Sequence, residues 1–114
     1  MPTDTQKQSL LDAVSNIRSA EQLLVQESRA TSDPGKLTQI SIEYNQLDSF
    51  LSQLLHAQAI ADDTDFAVAA ASLKKQANTL QLEQKDIEKI VSDIKIAARI
   101  VGYVAQALAI IAKI

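Results

Sequence analysis

The chain of 114 residues has no cysteine and no tryptophan, and it holds only two glycines, two prolines, two phenylalanines and two tyrosines. Without cysteine there is no disulfide framework and no thiolate metal site. With so few turn-forming residues the many tight connections of a β-sandwich or barrel are excluded. Four aromatic rings and a net charge of -3 argue against nucleic-acid binding, which needs a basic surface and rings to stack on bases. Nor is the chain disordered, because 46% of its residues are apolar and 22% charged. Helix is the structure that remains, in a single domain spanning residues 1–114. The first residues show no basic stretch followed by an apolar one, so the expected location is cytoplasmic by default, with signal-independent export left open.

Apolar spacing supports this reading. Leu10, Ala13, Val14, Ile17, Ala20 and Leu24 recur at three and four, which predicts a helix over about residues 4–30. Asp12, Arg18, Glu21 and Gln22 lie on the face expected to meet water. Thr3 with Gln6, or Thr5 with Gln8, has the spacing of a capping box. Thr31-Ser32-Asp33-Pro34-Gly35 is the strongest punctuation in the chain, with Asp33 as a cap and Pro34 at the first helical position. A second helix over about 34–61 then follows the seam Leu37, Ile40, Tyr44, Leu47, Leu51, Leu54, Gln58 and Ala61. The two match in length, as an antiparallel hairpin requires. Asp62-Asp63-Thr64-Asp65 reads as the amino-terminal cap of a third helix. It is not a calcium loop, because the distributed ligands and central glycine of such a loop do not follow.

From Phe66 the three-four register continues through Ala70, Leu73, Ala77, Leu80, Gln84, Ile87, Val91, Ile94, Ala98, Val101, Ala105, Leu108 and Ala112, interrupted by no proline. One helix of that length would measure roughly 75 Å, extend about 30 Å beyond its partners and bare a wide apolar surface. The fold is therefore an all-α, antiparallel up-down bundle, either of four helices or of three with a very long last helix completed by other copies. The expected break lies within residues 78–85, with Asn78 ending one helix near residue 80 and Asp86 capping the next, so that the last two helices span about 64–80 and 86–113.

Residues 87–114 are apolar around much more than one face. Ala98, Gly102, Ala105, Ala109 and Ala112 form a row of small residues on which another helix can approach closely. Alanine is also simply a good helix former, and a central helix of the bundle would show much the same composition. The expected interface comprises Ile94, Ala98, Val101, Gly102, Tyr103, Ala105, Leu108, Ala109 and Ala112, which implies a homo-oligomer or a helical protein partner. Lys85, Lys89, Lys95 and Arg99 form a basic strip beside it. This suggests the alternative of a membrane-active or toxin-accessory protein whose last helix lies on anionic lipid. Spanning is disfavoured, because the longest uncharged stretch, Ile100 to Ala112, is 13 residues against the roughly 20 that a bilayer needs.

No catalytic constellation is visible. His56 is the only histidine and lies off the apolar seam, and no Glu-x-x-His pair or Ser-His-Asp grouping can be argued. No catalytic residue, cofactor, metal site or small-molecule substrate is expected. Charge is divided unevenly: residues 1–65 carry four basic and ten acidic side chains, residues 66–114 seven and four. That division favours docking of the two halves on each other.

Overall fold

Every helix begins at a side chain that caps it. The computed structural model describes residues 2–114. Thr3 Oγ1 accepts from the Gln6 amide while Gln6 Oε1 accepts from the Thr3 amide, both at 3.0 Å, and α1 runs from there over Asp4–Ala30. The other helices each follow a three-residue turn, 31–33, 60–62 and 91–93, whose third residue is an aspartate. Asp33 Oδ1 accepts from Gly35 N at 2.9 Å and opens α2, Pro34–Ala59. Asp62 Oδ2 accepts from Asp65 N at 2.9 Å and opens α3, Asp63–Ile90. Asp93 Oδ1 accepts from Lys95 N and Ile96 N, at 2.9 and 3.3 Å, and opens α4, Ile94–Ala112. These carboxylates satisfy amide donors that have no partner within their own helix, and their charge suits the positive end of the helix dipole.

Turns this short favour antiparallel packing of consecutive helices, and the contacts between neighbours show that arrangement here. α1 packs on α2 and α4, and α3 packs on the same two, so the four helices form a ring with no diagonal contact. The body measures 48 × 21 × 20 Å. At one end the Lys36 ammonium donates to Ser92 Oγ at 2.6 Å, tying the start of α2 to the last turn. At the other, the Lys7 ammonium donates to the carbonyls of Gln58 and Ile60 and lies 6.0 Å from the Phe66 ring centroid. The core is continuous along the ring: Leu10, Ile17 and Leu24 of α1, Leu47, Phe50 and Leu54 of α2, Leu73, Leu80 and Ile87 of α3, Ile100, Val104 and Ile111 of α4.

The expected limits of α1 and the Asp33-Pro34 start of α2 are those observed, and of the two capping boxes the spacing allows, Thr3 with Gln6 is the one formed. The break in the second half is not where the sequence placed it. Residues 78–85 are helical throughout, and Asp86 is an exposed position inside α3 rather than a cap. The reason is packing: Phe66, Leu73, Leu80 and Ile87 recur every seven residues into the core and hold α3 straight past Asn78, whose propensity penalty is a fraction of a kcal/mol. The chain turns instead at Val91-Ser92-Asp93, so the last helices are 63–90 and 94–112, not 64–80 and 86–113.

That turn also resets the helical phase. A continuous register carries Ile94, Ala98, Ala105 and Ala112 inward, whereas the buried row of α4 is Ala97, Ile100, Val104, Ala107 and Ile111, with Leu108 beside it. On α2 the buried row is likewise broader than expected: Glu43, Phe50 and Ala57 are inside, while Leu37, Tyr44 and Gln58 are half-buried and Ala61 lies exposed beyond the helix.

Removing the Asp93 carboxylate tests this account of the break. Asp93→Ala should cost about 1 kcal/mol in urea unfolding, the usual loss of an amino-terminal cap. Asp86→Ala, in mid-helix and facing solvent, should leave the midpoint unchanged or raise it. The reverse ranking would place the helix start at Asp86.

Candidate functional site

Because the buried row of α4 is set by the turn at Asp93, the opposite side of that helix faces outward. There Ile94 is 84% exposed, and Ala98, Ala105, Ala109 and Ala112 are exposed with it. Gly102 is half-buried, and a Cβ added to it would meet nothing within 4 Å. Three further members of the expected interface turn towards the bundle. Val101 and Tyr103 are half-buried against the core, and Leu108, only 7% exposed, belongs to it. The structure thus divides the expected interface into an outward row of small residues starting at Ile94 and an inward group that the chain already covers. α4 is the one described helix long and apolar enough to cross a membrane, and a third of that apolar stretch is buried.

The four basic residues do not form one strip. All are exposed, but Lys85 and Lys89 stand on α3, and Lys95 and Arg99 stand on α4 beyond the turn. Along α4, Lys95, Arg99, Gln106 and Lys113 form a narrow exposed polar edge beside the small-residue row. His56 is exposed, in an open groove with Ile60, Asp65 and Val68.

The sequence gives little warning of two buried glutamates. Glu21, expected to face water, is 6% exposed, and Glu43 is 5% exposed; each has one carboxylate oxygen without a hydrogen bond. Burial pushes Glu21 up to about 7, with the neighbouring Asp48 carboxylate adding to the effect and Arg18 opposing it. Glu43 is pushed up to about 8, first by burial and then by Glu83, with which it shares a hydrogen bond, and by the charge of Asp86. Glu43 lies seven residues before Phe50 and fourteen before Ala57, on the buried edge of α2. That spacing was the only hint, and its carboxylate pointed the other way. Glu83 and Asp86 are three residues apart, hence on one face of α3, and bring their carboxylates to Glu43 across the α2–α3 groove.

Compared with known proteins, the chain matches no protein family, no curated protein and no solved structure.

The Glu21 environment has a consequence for stability. The unfolded chain titrates this group near 4.3, so between there and about 7 the folded state holds the extra proton. Stability contributed in this way is complete below the unfolded value and falls as pH rises through the window. The adjoining groove opens to solvent past Arg18 and Gln22, which screens the effect to the order of 1 kcal/mol. Glu21→Gln replaces the shared proton with an amide donor facing Asp48. It should raise the melting temperature by several degrees at pH 8 and by little at pH 5, as read by circular dichroism. An equal shift at both pH values would contradict the buried carboxyl.

Proposed function

We propose that this protein is a non-catalytic helical interaction module that self-associates through the outward face of α4. The observation that carries the reading is the open space over Gly102, within a row of exposed small residues on an otherwise apolar helix. Glycine in a helix interior costs about 1 kcal/mol relative to alanine. Among the described residues outside its own stretch of helix, no atom lies within 4 Å of where a Gly102 Cβ would sit, whereas a second helix seated on Ala98, Gly102, Ala105 and Ala109 would bring contacts that offset the cost. A second copy of α4 is the simplest occupant, since its own small-residue row permits the same close approach. Such a pairing would also bring cover to Ile94, the most exposed large apolar side chain in the described residues. A helix of a different protein would be recognised by the same chemistry, with small residues at matching intervals.

The alternative of a lipid-bound surface helix has less support. Interfacial binding wants one broad apolar face against one charged face. On α4 the large apolar side chains Ile100, Val104, Leu108 and Ile111 are taken up by the core, and of the large ones only Ile94 stands fully outward. The basic residues are divided between two helices, and the side left outward is mostly alanine. Insertion into lipid would require α4 to leave α1 and α3.

Light scattering over a hundredfold concentration range, with unfolding followed in parallel, tests the proposal. The wild-type mass should rise to a multiple of one chain, and Gly102→Leu should return it to that of a single chain. Because the space above Gly102 is open within the chain, Gly102→Ala should leave the dilute protein as stable or raise its stability by up to about 1 kcal/mol. A wild-type mass of one chain throughout, or a Gly102→Leu assembly as tight as wild type, would overturn it.

A further inference from the structure

The carboxylates of Glu43, Glu83 and Asp86 meet in the groove between α2 and α3. One oxygen from each lies within 4.8 Å of the other two. Clustered acids are common on helical surfaces and by themselves indicate nothing. This group differs because Glu43 is 5% exposed and has a carboxylate oxygen that receives no hydrogen bond. A buried carboxylate is normally supplied with donors or a counter-charge, since an unsatisfied one costs several kcal/mol. Here it is turned instead towards two more acids. Lys89 lines the same groove without forming an ion pair to any of the three.

One polar neighbour is present. Gln46 is one turn beyond Glu43 on α2, and its amide lies against both Glu83 oxygens. With its nitrogen turned towards them, the amide donates at 2.9 and 2.8 Å. Rotating that amide by half a turn presents its oxygen instead, at the same place. In that orientation the Gln46 oxygen stands beside the Glu83 carboxylate at the edge of the three-acid group, which lacks positive charge.

We propose that Glu43, Glu83 and Asp86 bind one hard divalent cation, with the Gln46 amide oxygen as a fourth protein donor. The geometry suits such an ion. A point equidistant from three oxygens spaced this way lies within about 2.8 Å of each, and Ca2+–oxygen bonds measure roughly 2.3–2.6 Å, so small side-chain rotations close the difference. An all-oxygen donor set selects Ca2+, Mg2+ or Mn2+ over zinc or copper, which favour imidazole and thiolate. Exposure grades from buried Glu43 through half-buried Glu83 to exposed Asp86, leaving the outer side open for water to complete the coordination. A bound ion would join α2 to α3, two neighbours whose facing carboxylates otherwise repel.

The site is tested on the full chain after chelator treatment, by calorimetric titration with Mn2+ and with Ca2+ at pH 8.5. One equivalent should bind per chain, and saturation should raise the melting temperature by several degrees. Glu83→Gln combined with Asp86→Asn should weaken binding at least tenfold, and Glu43→Gln should do the same. All three changes remove repelling charge, so the helical signal should persist and show that loss of binding is not loss of fold. Asp62→Asn combined with Asp65→Asn, in the acidic cap of α3, should leave binding unchanged. No saturable binding up to about 10 mM, well above the weakest physiological Ca2+ sites, would overturn the proposal. Binding that survives intact in the Glu83/Asp86 variant would overturn it as well.

Discussion

The Asp93 cap is the interaction on which the rest of the molecule depends. Residues 63–112 are apolar at helical intervals almost without interruption, and unbroken they would form a rod much longer than α1 or α2. At Val91-Ser92-Asp93 the carboxylate of Asp93 holds the Lys95 and Ile96 amides, and the chain doubles back. α4 then closes the ring between α1 and α3, and its buried row completes the core. The same turn decides which side of α4 is left outside. Ala98, Ala105, Ala109 and Ala112 are exposed, with half-buried Gly102 between them, because three residues of turn separate α4 from the phase of α3. A turn three residues long, repeated with aspartate as its last residue at 33, 62 and 93, thus carries the topology, the core and the exposed face together.

Burial of Glu21 and Glu43 works against stability. Apolar side chains of similar volume at these positions would suit the core better, and each glutamate leaves an oxygen without a donor. The two are arranged differently. Glu21 faces Asp48 beside a groove lined by Arg18, where a shared proton relieves the repulsion. Glu43 faces Glu83 and Asp86, where among the described residues no basic side chain forms an ion pair, and the proposed cation would supply the counter-charge. The α4 face and the α2–α3 acid group lie on different helices and use different chemistry, so neither reading depends on the other.

Much of the fold was legible in the sequence. The Thr3-Gln6 box, Asp33-Pro34 and the acidic start of α3 are local signals met by the local hydrogen bonds they imply, and the α1 seam is met by burial of its apolar residues. The position of the third turn was not legible, because Asn78 and Asp86 resemble a stop and a cap as closely as Ser92 and Asp93 do. What separates them is tertiary: Leu80 and Ile87 bury only if α3 continues, and periodicity read along one strand of sequence does not see the neighbour they bury against. An error of a few residues in the break then rotates the expected face of α4, which is why Leu108 moved inward while Ile94 stayed outside. The carboxylate group was hidden for a related reason. Glu83 and Asp86 share a face by spacing, but the pairing of that face with Glu43 depends on the register between α2 and α3.

The doubling back of α4 is the central claim, and a distance measurement tests it directly. The absence of cysteine allows spin labels to be placed through Lys75→Cys and Gln106→Cys, both exposed, with the labelled chain diluted in unlabelled protein. Antiparallel α3 and α4 bring these positions to within about one helical turn of each other on adjacent helices, whose axes lie about 10 Å apart, so the label separation should be about 20 Å. A continuous helix sets them about 46 Å apart at 1.5 Å per residue. The short distance is the predicted result; the long one would contradict the cap, the ring of four helices and the face of α4 that follows from them.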